Sequence, residues 1–268
     1  MKELTIEVTN QCCLCCVHCS TRAGRDFEDD LVFLPRRKVK EVLYRFADFE
    51  KIRFSGGEPF IRPGIINIFH DAKTRGKFVE VLTSGYFWGQ PIPEDLIRKC
   101  KAFVDLISFS IYGDEWVHQN VTREYSLKCL DKSVDRVISH KIPFGFNFVA
   151  LKKSIPGLEY VMQYVGKRAS EVKYYVPSLR ILRFIQQGYG EGRADQAINE
   201  DEIERVKEMA KSFAEKYHVD LKIGCSFAEQ GCTQGEGKAV VTAKGEYLNC
   251  SALKYGSLQG PFACREKW

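Results

Sequence analysis

Residues 9–22, TNQCCLCCVHCSTR, hold five of the chain's eleven cysteines and follow an alternating apolar and polar run, LTIEV. Within them Cys12, Cys16 and Cys19 are spaced C-x3-C-x2-C. Three thiolates can hold three corners of an iron–sulfur cubane and leave one iron without a protein ligand, whereas four cysteines close the clusters of electron carriers. A triplet therefore implies that the open iron binds something else, and that is where chemistry can occur. The alternative is a structural zinc site, which wants a fourth Cys or His at short spacing. His18, Cys13 or Cys15 could supply it. Cys13 and Cys15 are extra to the spacing, which no other three cysteines of the loop reproduce, and they read as spectators.

Outward from this loop the chain alternates short β-like runs with helical periodicity. LTIEV is followed by a helix over about 36–48, KIRFS by a helix over about 64–75, and FVEVLTS by a helix over about 93–101. VDLISFSIY precedes a helix over about 125–140, PFGFNFVAL one over about 157–167, and VKYYV with LRILRF closes the series. Strands separated by helices in this way form βαβ units on a parallel sheet. Six such repeats imply an α/β fold, a partial (β/α)6 barrel. After LRFIQQGYGEGR the composition turns Gly-rich and polar, which divides the chain into 1–190 and a smaller unit at 191–268. That unit reads as a charged helix over about 200–217, a strand VDLKIGC, and a hairpin KAVVTAKGEYLNC turning at Lys244 and Gly245. It carries no βα repeat in this reading and resembles a separate metal-binding appendage.

Composition narrows the function. A hydrophobic share of 44% with 28% charged residues is the balance of a soluble globular protein. MKELTIEVTN has neither the basic start nor the apolar run of a signal peptide, and no stretch is apolar enough for a membrane span. A cytoplasmic location is expected, and a reducing compartment argues against a disulfide framework. The net charge of +5 is mild, and basic residues stand beside acids as in RRKVKEVLYR, so a nucleic-acid partner is not expected.

The triplet after the first strand resembles the signature of the radical S-adenosylmethionine (SAM) superfamily. In that family SAM chelates the open iron of a [4Fe–4S] cluster, and one-electron reduction releases a 5′-deoxyadenosyl radical. The resemblance extends to SGGEP at the end of the second strand, where Gly56, Gly57 and Glu58 stand at the positions that bind the SAM amino group. Glycines allow close approach of backbone to a ligand. It implies softer SAM contacts at later strand ends: Thr83, Ser84 and Gly85 on the third, Ser108 and Ser110 on the fourth, Asn147 on the fifth and Arg183 on the sixth. Ser108 and Ser110 share a strand face, and the Arg183 fork suits a carboxylate. A flavodoxin- or ferredoxin-type electron donor follows from the same resemblance.

In the tail, Cys225, Cys232, Cys250 and Cys264 include a C-x9–15-G-x4-C pattern similar to the auxiliary-cluster hairpins of SPASM and Twitch domains. The resemblance implies a second, auxiliary [4Fe–4S] cluster on these four, in the shorter Twitch arrangement because the full cysteine pattern does not continue before Trp268; a zinc-stabilised appendage is the alternative. Auxiliary clusters of this family accompany modification of ribosomally made peptides (crosslink, thioether or epimerisation) or rearrangement of a sugar, aminocyclitol or nucleotide. SGYFWG and YGDEWVHQ look similar to peptide-modifying members and place side chains at the barrel mouth, whereas the absence of a leader-binding domain before the first strand weakens that reading. A protein that kept the fold without turnover, as an iron–sulfur or zinc protein, is the reading from another class. Tyr112, Glu115, His118 and Tyr189 are candidates for proton transfer, although a histidine at a helix start reads as a surface residue. Cys100 and Cys129 read as apolar fillers in helices.

Overall fold

A computed structural model describes residues 1–24, 32–224 and 237–250. Six strands, β1 (Glu3–Glu7), β2 (Lys51–Ser55), β3 (Phe78–Thr83), β6 (Leu106–Ser110), β7 (Phe144–Ala150) and β8 (Ser178–Arg183), lie side by side in chain order, all parallel. Between β3 and β6 a short antiparallel hairpin of β4 (Tyr86–Phe87) and β5 (Gln90–Pro91) stands apart from the main sheet. The crossovers carry α1 (Arg36–Arg45), α2 (Ile65–Lys73), α3 (Glu94–Cys100), α4 (Glu115–Thr122), α5 (Leu127–Ser139) and α6 (Leu158–Ser170). This is the α/β, singly wound architecture expected from the pattern, with α4 as a helix the sequence periodicity did not mark out.

Strand alternation sorts the side chains. Ile52 and Phe54 of β2, Val79 and Val81 of β3, Ile107 and Phe109 of β6, and Phe144, Phe146 and Phe148 of β7 all enter one continuous apolar core with the helices. In α5 the core-facing Leu127, Leu130, Val134 and Val137 recur at the spacing of one helix face. The opposite, inner face of the sheet carries Glu3, Lys51, Arg53, Glu80, Ser108, Asn147 and Arg180 instead, so the barrel lumen is polar. Of the two runs expected to form the sixth strand, only the second pairs. VKYYV stays outside the sheet, with Tyr174 and Val176 exposed, because Pro177 follows it and lacks the N–H a ladder needs.

The tail differs from the sequence expectation. Helix α7 (Glu200–Tyr217) begins with an Asn199–Glu202 capping box, and β9 (Asp220–Ile223) after it pairs in parallel with β8. This is a further βα repeat, where the composition suggested none. Strand β10 (Lys238–Val241) pairs in parallel with β1, and β11 (Tyr247–Leu248) returns antiparallel to it. The hairpin turn falls where expected: the Gly245 N–H donates to Thr242 at 2.8 Å, and Gly245 has φ +84°. The hairpin is an extension of the barrel sheet, not a detached appendage. Tyr247 anchors it by stacking on Phe46, just past the end of α1, beneath the Arg45 guanidinium. Among the described residues no helix is long and apolar enough to cross a membrane.

Candidate active site at the mouth of the barrel

The loop after β1 brings Cys12, Cys16 and Cys19 to the C-terminal ends of the strands, the end at which barrel active sites are built. Three separate elements pin it. From the turn after β2, the Gly57 N–H donates to the Thr9 carbonyl at 2.7 Å and the Glu58 N–H to the Gln11 carbonyl at 2.8 Å. From α4, the carbonyls of Thr122 and Val121 accept the N–H groups of Cys15 at 3.3 Å and Val17 at 2.9 Å, which also satisfies two terminal helix acceptors. From the turn after β8, the Tyr189 N–H donates to the Cys19 carbonyl at 2.9 Å.

The glycines of SGGEP serve this packing. A side chain at Gly56 would overlap the Thr9 carbonyl, and one at Gly57 the Gln11 carbonyl. Gly56 moreover has φ +126°, a region closed to most side chains. The close approach anticipated toward a ligand is in the first place an approach to the cysteine loop itself. Glu58 is fully buried, and its carboxylate accepts four hydrogen bonds. They come from the Phe60 N–H (3.2 Å), the Thr83 hydroxyl (2.8 Å), the Ser84 N–H (2.8 Å) and the Ser84 hydroxyl (2.6 Å). Burial raises its pKa, opposed by the Ser84, Thr83 and Phe60 hydrogen bonds. Four acceptor positions fill a carboxylate. Thr83, Ser84 and Glu58 thus clamp the ends of β2 and β3 to one another.

Lower in the lumen a charged network closes the barrel. Buried Glu80 takes ion pairs from Lys51 (2.7 Å), Arg53 (2.7 Å) and Arg180 (3.2 Å) and a hydrogen bond from Ser108 (2.7 Å). Burial alone would raise this carboxyl, but the charges of Arg180, Arg53 and Lys51 hold it well below the usual range. Asn147 accepts from Arg180 at 3.2 Å. Ser108 and Asn147, expected at the ligand, are therefore engaged in this floor. Ser110 lies two residues above Ser108 on the same face, and beyond the strand the Tyr112 hydroxyl meets His18 Nε2 at 3.0 Å. Arg183 stands on the other face. It alternates with Arg180 and shares the side of Leu179 and Ile181, and it pairs with Glu200 at 3.4 Å. Period-two geometry makes Arg180, not Arg183, the arginine of β8 that faces the lumen.

A family model described as the radical SAM superfamily matches residues 6–156, more than half of the chain. The chain belongs to the radical SAM superfamily. One relative is the tungsten-containing aldehyde ferredoxin oxidoreductase cofactor-modifying protein of Pyrococcus furiosus, 26% identical over 190 residues, which span 66% of this chain and 52% of that protein. Another is a probable GTP 3′,8-cyclase of Methanococcus aeolicus, 24% identical over 230 residues, 83% of this chain and 72% of the relative. The chain thus spans about half the length of the first relative and under three quarters of the second. Among solved structures, SuiB of Streptococcus suis bound to its precursor peptide SuiA superposes with a TM-score of 0.71 at 14% identity, over 97% of this chain and 62% of SuiB.

The donor set of this radical SAM chain fits an iron–sulfur cluster. Burial pushes the Cys12 thiol well above its usual range, and Cys16, Glu58 and Cys19 push it further; Cys16 is likewise raised by burial and by Cys19. Two such thiols with Cys19 beside them can ionise together near a carboxylate only around a strongly positive centre, of the kind an iron core supplies. Among the described residues no three His, Cys, Asp or Glu side chains converge on a point as ligands of a single ion do. Cys225, Cys232 and Cys264 lie outside the described residues. Cys250 follows β11, which runs antiparallel to β10, so it emerges toward the N-terminal ends of the barrel strands, away from the triplet.

Two residues depart from their sequence reading. His118 is buried, not on the surface; its Nε2 meets the Ser126 hydroxyl at 3.1 Å and its ring lies 5.6 Å from that of Tyr112. The capped N-terminus of α4 turns position 118 inward, a register invisible before the helix was placed. Cys129 is not a core filler like Cys100. It sits half-exposed at the mouth, its Sγ 3.7 Å from the Gly89 carbonyl. Trp88, in the SGYFWG run expected at the mouth, has φ +48° at the tip of the β4–β5 hairpin, a conformation costing about 1 kcal/mol or more for a bulky side chain.

Burial lowers the His118 pKa to about 4, whereas the unfolded chain binds the proton near pH 6.5. Stability present above the unfolded value is therefore lost as pH falls from 6.5 toward 4, by up to about 3 kcal/mol. Thermal unfolding midpoints followed across that window are expected to fall more steeply in the wild type than in His118→Asn. Parallel curves would remove this residue as the cause.

Proposed function

We propose that the chain holds one [4Fe–4S] cluster on Cys12, Cys16 and Cys19, binds SAM at the open iron, and uses it to activate a ribosomally made peptide by hydrogen-atom abstraction. The observation that carries this reading is the cysteine triplet, Cys12 buried and Cys16 and Cys19 half-buried, in a loop fixed from three sides at the barrel mouth. When bound, the cluster supplies the electron that breaks SAM into methionine and a 5′-deoxyadenosyl radical. The chain's own residues orient and enclose. Gly56 and Gly57 offer backbone to the SAM amino group once they have seated the cysteine loop, with Glu58, Thr83 and Ser84 acting as the clamp that positions them. Ser110 and Tyr112 line the lumen wall nearest the triplet, above the Glu80–Arg180 floor.

The likeness in fold to SuiB, solved with a precursor peptide, supports a peptide substrate. A small molecule such as a nucleotide is the second reading, favoured by the relation to a probable GTP 3′,8-cyclase. A second cluster on Cys225, Cys232, Cys250 and Cys264, in residues 191–268, and a flavodoxin- or ferredoxin-type donor complete the proposal. The test is anaerobic reconstitution with iron and sulfide counting, followed by SAM and dithionite and chromatography for 5′-deoxyadenosine. About eight irons per chain support both clusters, and about four support the triplet alone. Zinc in place of iron, or no SAM cleavage, would overturn the reading.

A further inference from the structure

Trp88 is the residue at the barrel mouth whose side chain and backbone are at odds. It and Gly89 form the two-residue turn between Phe87 and Gln90, with φ +48° and +83°. A hairpin turn with both values positive selects Asn, Asp or Gly at its first position, and a bulky residue there is an outlier. Burial does not compensate, since the side chain remains 47% exposed. Nor can the turn relax. The Trp88 N–H donates to Cys13 Sγ at 3.3 Å on one side, and Cys129 reaches the Gly89 carbonyl on the other. At the base of the hairpin the Ser133 hydroxyl donates to the Gly85 carbonyl at 2.7 Å and accepts from the Ile92 N–H at 2.9 Å. A rigid hairpin, slung between the cysteine loop and α5, thus holds an indole in solvent beside the residue that follows Cys12.

Residues held in sparsely populated backbone conformations cluster at active sites and ligand clamps. We propose that Trp88 determines substrate specificity by stacking on a flat apolar side chain, aromatic or proline, of the peptide and holding it over the mouth of the barrel. An indole offers a large, rigid, apolar face at low entropic cost. Charge does not single out an ionic group here, because the neighbouring Cys129 feels Lys132 and Glu115 with opposite sign. Trp116, the residue after Glu115, is also exposed. The proposal rests on the peptide reading above.

The test uses the full chain with its clusters reconstituted, as wild type, Trp88→Asn and Trp88→Phe. Asparagine suits the turn, so its unfolding midpoint is expected to rise by about 2–4 °C while that of Trp88→Phe stays put. A displayed library of random peptides is then selected on the wild type anaerobically in the presence of SAM. Selected peptides are expected to share an aromatic or proline position and to bind Trp88→Asn at least about tenfold more weakly, with Trp88→Phe within about threefold of wild type. Selected peptides without that position, or bound equally by Trp88→Asn, overturn the proposal and leave the peptide reading standing. Enrichment of no peptide by the wild type overturns the peptide reading and the proposal with it.

Discussion

Replacing Cys12, Cys16 and Cys19 together by alanine is expected to remove about four irons per chain and to lower reductive SAM cleavage by at least about a thousandfold, about 4 kcal/mol in barrier. Cys16 and Cys19 both lie within electrostatic reach of Cys12, as the proposed shared centre requires. The fold should survive. The loop is held by backbone hydrogen bonds from Gly57, Glu58, Val121, Thr122 and Tyr189, none of which passes through a cysteine side chain. Circular dichroism of the triple variant should match the wild type while iron is lost. Cys13→Ala and Cys15→Ala serve as the contrast. Cys13 packs in the small apolar cluster with Leu14 and Tyr86 and accepts the Trp88 N–H, so its loss should disturb the hairpin and leave the iron in place. Iron retained by the triple variant, or lost from these two, would reassign the ligands.

Gly57→Ala is expected to be nearly as damaging to iron binding, although position 57 ligates nothing. Its added methyl would enter the Gln11 carbonyl, which accepts the Glu58 N–H and belongs to the residue immediately before Cys12. The obstacle is backbone, and no rotamer change relieves it. Either the loop or the β2 end must shift, which separates Glu58 from the Gln11 carbonyl and carries Cys12 with it. A destabilisation of about 3 kcal/mol or more is expected, read as a lower unfolding midpoint together with iron content well below the wild type after identical reconstitution. An unchanged midpoint with full iron would show that the strand ends are more yielding than this packing implies.

The sequence alone determined the layers of this protein. Alternation in KIRFS and FVEVLT, helical spacing in LKCLDKSVDRVIS, and their repetition fix strands, helices and a parallel sheet, because those periods are local properties of the chain. The C-x3-C-x2-C spacing of Cys12, Cys16 and Cys19 was legible as well, since a spacing within one loop is a local property too. The hairpin at 238–248 was legible for the same reason, in the positive φ that Gly245 supplies. What only the tertiary structure decided are relations across the sheet. Whether β10 joins β1 depends on edge pairing between distant segments, which local composition does not encode. That Arg180 rather than Arg183 faces the lumen depends on strand register, and a shift of one residue exchanges the two faces. That Glu58 is spent on Thr83 and Ser84, and that the mouth hairpin holds its Trp88–Gly89 turn between Cys13 and Cys129, follows from close packing of loops from different strands. Chemistry within a loop is written in the sequence, whereas the partners that orient it are chosen by long-range contacts whose free energy exists only once the barrel has formed.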